Sequence, residues 1–162
     1  GEPVYKKLGF RDVCEYVFLK REKEWINAPL SPNIQKYNAN FKNAIQSLDK
    51  KTTAENRQAL LSKKIEDSFL YLKNGNMKGF YIPTLAEGPI IANDTESGTE
   101  LMRFKYSGID KAVVPVLNQS GIKFLLQNGF AVSATKGKRM ILGEDILWNP
   151  ECIFSRVGGN FG

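Results

Sequence analysis

The feature that most constrains the fold lies between Gly129 and Val157, where residues alternate with the two-residue period of a half-buried strand. Phe130, Val132 and Ala134 alternate with Ala131, Ser133 and Thr135. Lys136-Gly137-Lys138 reads as a turn, and Met140, Ile141 and Leu142 resume the apolar run. Glu144-Asp145 then interrupts the ribbon before Ile146-Leu147-Trp148, and a last strand ends at Val157. Carboxylates set in apolar sequence cost free energy to desolvate unless they are paired or hydrogen-bonded. This pair is therefore the first candidate for chemistry, against the plainer reading of a solvated turn or bulge.

Upstream of Met77 the period is helical instead. Phe10, Val13, Cys14 and Val17 predict a first helix that Asn27-Ala28-Pro29 stops. Ser31-Pro32 opens a second, with Ile34, Tyr37, Phe41, Ile45 and Leu48 as its apolar stripe. A capping box at Thr52 and Glu55 opens a third, carrying Leu61, Ile65, Phe69 and Leu72 and closed by Asn74-Gly75. Beyond Met77, Phe80-Tyr81-Ile82, Ile90-Ile91-Ala92 and Leu101–Tyr106 read as strands. Ala112–Leu117 reads as an edge strand or a helix start, and Ile122–Gln127 is ambiguous. The expected fold class is α+β: three N-terminal helices followed by a twisted antiparallel β-sheet. Residues 1–162 are expected to be a single domain, with a helical, basic subregion at 10–74 and a mainly β subregion at 80–157.

The chain has no histidine, which excludes Ser-His-Asp and Cys-His catalysis and histidine-metal nucleases. Cys14 and Cys152 are too few and too far apart for a zinc site, and their expected role is as small buried hydrophobes. No metal is expected. No apolar run reaches the roughly 20 residues of a membrane helix, and Gly1-Glu2-Pro3 followed by Arg11, Asp12 and Glu15 is not expected to be a signal peptide. The net charge of +6 belongs to residues 1–80, which hold 15 Lys and Arg against 9 Asp and Glu, whereas residues 81–162 hold 8 of each. A basic helical half could attract nucleic acid or an acidic protein. A solvated lysine-rich surface is the plainer alternative.

Glu144-Asp145-Ile146-Leu147-Trp148-Asn149-Pro150 followed by Phe154-Ser155-Arg156-Val157 resembles the end of the mono-ADP-ribosyltransferase toxin and effector fold. There a catalytic glutamate precedes an apolar stretch, a proline turn and a Phe-x-Val strand. Phe104 to Val113 is similar to that family's serine segment, with Ser107 at its first serine; Ser133-Ala134-Thr135 is the other match, and it would make Arg103 the family's arginine. The resemblance implies a toxin or effector that cleaves NAD and modifies a macromolecule. Glu144 would stabilise the cationic ribose and Arg103 would hold the pyrophosphate. Tyr106 or Phe130 would stack on nicotinamide. A soluble chain, secreted or delivered into a target-cell cytoplasm, is what such a toxin implies.

Two alternatives stand beside it. A metal-independent ribonuclease toxin of the barnase–colicin–RelE type would use Lys136, Lys138, Arg139 and Glu144. A non-enzymatic binding module needs no motif at all.

Overall fold

A computed structural model describes residues 2–25 and 28–159. Five helices alternate with eight strands among the described residues. The order is α1 (Glu2–Lys7), β1 (Arg11–Arg21), β2 (Ile34–Lys36), α2 (Lys42–Thr53), α3 (Gln58–Leu61), β3 (Phe69–Lys73), β4 (Asn76–Tyr81) and β5 (Ile90–Ala92). It continues with α4 (Thr95–Tyr106), β6 (Lys111–Pro115), α5 (Gln119–Gln127), β7 (Phe130–Ile141) and β8 (Ile153–Ser155). The strands form two antiparallel sheets, ordered β6-β1-β7 and β2-β3-β4-β5-β8.

The α+β class stands, but helices are interspersed with strands rather than preceding them. Residues 11–21 are a central strand, not a helix: Leu19 faces Ala112 on one neighbour and Val132 on the other. Its β-branched and aromatic content suits a pleated surface better than its helical spacing suggests, and pairing on both sides decides the outcome. In the second expected helix only Ile45 and Leu48 of the stripe lie in α2, Phe41 ends the 3-10 turn before it, and Ile34 lies in β2. Thr52 and Thr53 end α2 instead of capping a third helix, and Ala54 takes the left-handed C-cap at φ 59°. Asn74-Gly75, both at positive φ, turns the β3–β4 hairpin. Residues 101–106 lie in α4, which Asp94 caps, and 122–127 lie in α5. Residues 80–157 are thus not mainly β. Lys136-Gly137-Lys138 is no turn, because β7 continues past β1 after a bulge at 133–135, with Gly137 opposite Tyr16.

The five-stranded sheet is buried on both faces. Leu70, Phe80 and Ile91 pack with Ile45 and Leu48 of α2, while Tyr71, Tyr81 and Ile90 pack with Leu101 and Met102 of α4. Successive strand residues point to opposite faces, so apolar runs such as Phe80-Tyr81-Ile82 and Ile90-Ile91-Ala92 supply both cores. The three-stranded sheet is covered on one face only. Leu19, Ala112, Val114 and Phe130 meet the α4–α5 side, and Phe18, Lys20, Lys111 and Val113 form the other, half-buried to exposed face.

Asp49 of α2 is 1% exposed and takes a bidentate pair from Arg57, at 2.5 and 3.1 Å. Removing one partner of a buried pair leaves the other charge uncompensated. Arg57→Met is therefore expected to lower stability by about 3–5 kcal/mol, read by chemical denaturation. A loss no larger than that of a surface substitution would contradict this.

Candidate functional site

β8 is the edge of the five-stranded sheet, and it lies between β5 of that sheet and β6 at the edge of the other. It pairs antiparallel with β5, Ile90 opposite Ser155 and Ile91 opposite Ile153. It also runs beside β6, where the Arg156 amide donates to the Val113 carbonyl at 3.4 Å. Pro150 starts a short 3-10 turn, which delivers the chain into this strand.

Side chains from every neighbouring element hold β8 in place. The ring of Phe154 lies against Gly98 of α4, where an added Cβ would come within 2.3 Å of it, and against Gly121 of α5, where the approach would be 3.3 Å. Asn118 is buried; its amide donates to the Ile153 carbonyl at 2.9 Å while its carbonyl oxygen accepts from the Gly121 amide at 2.8 Å. Arg156 makes a bidentate pair with Glu87, both bonds 2.8 Å, and its guanidinium lies over the rings of Tyr16 and Phe18.

Lys105 closes the arrangement from below. Its ammonium donates to the Glu87 carbonyl (2.5 Å), the Gly88 carbonyl (2.7 Å) and Ser155 Oγ (2.7 Å). Burial pushes this amine down to about 7. The three oxygen acceptors oppose that shift by using all three N–H groups of the charged form.

Two cavities lie on the open face of the three-stranded sheet, with Arg156 lining both. One, of about 520 Å³, is lined by Phe18, Lys20, Lys105, Lys111, Ser133 and Ser155, among others. The second, of about 510 Å³, is lined by Tyr5, Phe10, Tyr16, Lys136, Lys138 and Arg139, among others. Arg139 is buried, pairs with Glu55 and lies 4.4 Å from the Trp148 ring centre.

Of the residues expected at a site, Ser133 lines the first cavity. Glu144 is exposed in the segment after β7, outside the lining of both cavities, and its neighbour Asp145 pairs with Arg11 at 2.5 Å. Arg103 lies on α4, bonds Glu100 and sits 5.2 Å from the Phe124 ring centre. Nothing joins it to Glu144 among the described residues. Tyr106 and Phe130 are core residues in edge contact at 5.5 Å, with no free ring face for a ligand. Ser107 is exposed and donates to the Phe104 carbonyl. Sequence reasoning missed Lys105, Lys20 and Lys111, because only the strand register brings them together.

No protein-family model and no curated protein matches the chain. Solved structures do. A protein described as a candidate acetyltransferase from Pyrococcus horikoshii superposes with a TM-score of 0.75 over 96% of this chain and 54% of its own, at 19% identity. An acetyltransferase of the GNAT family from Colwellia psychrerythraea superposes with a TM-score of 0.54 over 76% of this chain and 54% of its own, at 12% identity. The chain shares its fold with these two proteins. The chain spans about half the length of these two proteins.

This likeness overturns the resemblance to mono-ADP-ribosyltransferase toxins, with the NAD-cleaving activity, the NAD cofactor and the toxin assignment it implied. The ribonuclease and binding-module alternatives lose their support as well. Pro150 and Phe154-Ser155, which helped carry the resemblance, belong to the turn and strand that lie between the sheets, and Arg156 and Val157 follow that strand. No helix among the described residues is long and apolar enough to cross a membrane, and no group of His, Cys, Asp and Glu among them could hold a metal.

Two predictions follow from the packing around β8. Gly98→Ala places a methyl group inside the Phe154 ring, so it is expected to cost about 1–3 kcal/mol as overpacking. It should also raise protease cleavage after residue 150, and unchanged melting and cleavage would contradict the close packing. Lys105 is protonated to higher pH in the unfolded chain than in the folded one, so between about pH 7 and pH 10 the unfolded state holds more protons. Stability from this group should therefore rise with pH across that window. Lys105→Met should lack the rise, as measured by urea midpoints at each pH.

Proposed function

We propose that this chain is the acceptor-side part of an acetyltransferase, a GNAT-fold domain that shapes where the acyl acceptor binds and does not itself hold the acetyl donor. The observation that carries the reading is β8 in the gap between the two sheets.

The fold implies acetyl-coenzyme A as donor, and the residues present do not fit it. The donor's amide-bearing arm needs a free strand edge, as extended ligands do, but β8 covers the edge of β5 and lies beside β6. Its diphosphate needs cations or the free amides of a helix N-terminus. At α4, Asp94 takes the Ser97 amide at 2.8 Å and its carbonyl takes the Gly98 amide at 3.1 Å. Glu96 adds a second carboxylate there, held by Tyr71 and Lys73. At α5, Asn118 takes the Gly121 amide. Side-chain caps thus take the Ser97 and Gly121 amides, and Asp94 sets a carboxylate at the start of α4, which disfavours a diphosphate there.

Two features favour the acceptor side. The covered face of the three-stranded sheet is core, while the open face keeps two cavities of the size that holds small molecules. The extra cations of residues 1–80 lie on strands and loops as well as on α2, so they form no single helical face. A small acceptor accounts for the site better than a nucleic acid or a large acidic protein.

Calorimetric and thermal titration of the chain with acetyl-coenzyme A tests the reading. A ligand at a hundredfold excess over its Kd adds about 2.7 kcal/mol. For a chain of this size that shifts Tm by several degrees. We expect no shift and no heat at millimolar donor. Micromolar binding would overturn the reading and make the chain a donor-binding acetyltransferase in its own right.

A further inference from the structure

We propose that the 520 Å³ cavity on the open sheet face binds a small organic oxyanion, a phosphate or carboxylate group joined to a short apolar body. The proposal stands whether or not the chain serves acetyl transfer.

The starting point is the register of β1 and β6, which sets Lys20 directly opposite Lys111. Residues opposite one another in an antiparallel pair project from the same face, and like charges there destabilise the sheet. Both lysines are exposed and line the mouth of the cavity. Among the described residues, neither has a carboxylate within salt-bridge distance. A repulsive pair at a cavity mouth is relieved by an anion between the two ammonium groups.

The remaining walls agree. Glu87 is the one acid of the lining, and Arg156 takes both its oxygens. Lys105 lies at the inner end with its N–H groups already used, so the cationic mouth is made by Lys20 and Lys111. Ser133 and Thr135 of β7 bring hydroxyls, while Ile109 and Val113 bring apolar surface. Cationic mouth, hydroxyl side wall and apolar patch together fit an oxyanion with a short hydrocarbon part. The neighbouring 510 Å³ cavity also carries four cations, but three of them are neutralised: Lys138 by Glu2 and Asp12, Arg139 by Glu55 and Arg156 by Glu87. That comparison selects the first cavity.

The test is a ¹H–¹⁵N NMR titration of the chain with propyl phosphate and, separately, with butyrate, at ionic strength matched by sodium chloride. We expect the amides of Lys20, Lys111, Val113, Ser133 and Thr135 to move along one saturating curve. The Lys20→Gln/Lys111→Gln double variant should weaken that curve at least tenfold. It should also melt no lower than the parent chain without ligand, because removing a like-charge pair does not cost the fold. Tighter binding of propyl phosphate would assign the site to phosphate esters, and tighter binding of butyrate to carboxylates. Shifts scattered over the chain's other lysines, an unchanged curve in the double variant, or no saturation with either probe at tens of millimolar would each overturn the proposal.

Discussion

The ring of Phe154 occupies the space that any side chain at Gly98 would need, and the arrangement of both sheets follows from that contact. With Phe154 seated between α4 and α5, the backbone of β8 lies within reach of β5 on one side and β6 on the other. Ser155 then faces the buried amine of Lys105, and Arg156 emerges onto the open face, over Tyr16 and Phe18. A three-residue strand has little stability of its own. Here it is fixed by side chains on α4, on the loop before α5 and on the loop before β5. Its position is a property of those neighbours more than of its own sequence.

Much of the β content was legible, and the misreadings share a cause. Ile90-Ile91-Ala92 is a strand as read, and the alternation from Phe130 does mark the long strand β7. Leu61, Ile65, Phe69 and Leu72 have helical spacing, yet they occupy a helix turn, a 3-10 turn and a strand in succession. Where strands are buried on both faces, as at Leu70-Tyr71 and Phe80-Tyr81, successive residues are apolar, so the two-residue period disappears and chance three- and four-residue spacings remain. The opposite error fell on α4. Leu101, Met102 and Tyr106 are its buried face, but Arg103 and Lys105 between them imitate a strand. Lys105 is buried only because its amine reaches three oxygens on other elements, which local sequence does not reveal.

The candidate site was less legible than the fold because its parts come from distant segments. Glu144 and Asp145 drew attention as charges in an apolar ribbon. They sit in an exposed turn, where water and Arg11 meet the cost that motivated the reading. Lys20 and Lys111 look like ordinary surface lysines until the register of β1 with β6 sets them face to face. The same holds for the acidic start of α4. Asp94 drew no attention in the sequence because 101–106 read as a strand, and only the structure shows it capping α4 beside the closed gap.

Closing the gap and leaving one sheet face open are linked. Once β8 covers the edge of β5, an extended ligand cannot pair with that edge, and side-chain caps from Asp94 and Asn118 take an amide at each of the two helix starts beside it. The open face of β6-β1-β7 carries charged and hydroxyl side chains, Lys20, Lys111, Ser133 and Thr135 among them, so a ligand proposed there would meet side chains rather than backbone. Side-chain recognition of that kind favours compact molecules with one strongly charged end over long ones read along a strand. The closed gap in this chain rests on Phe154 against Gly98, a contact that no larger residue at position 98 would allow.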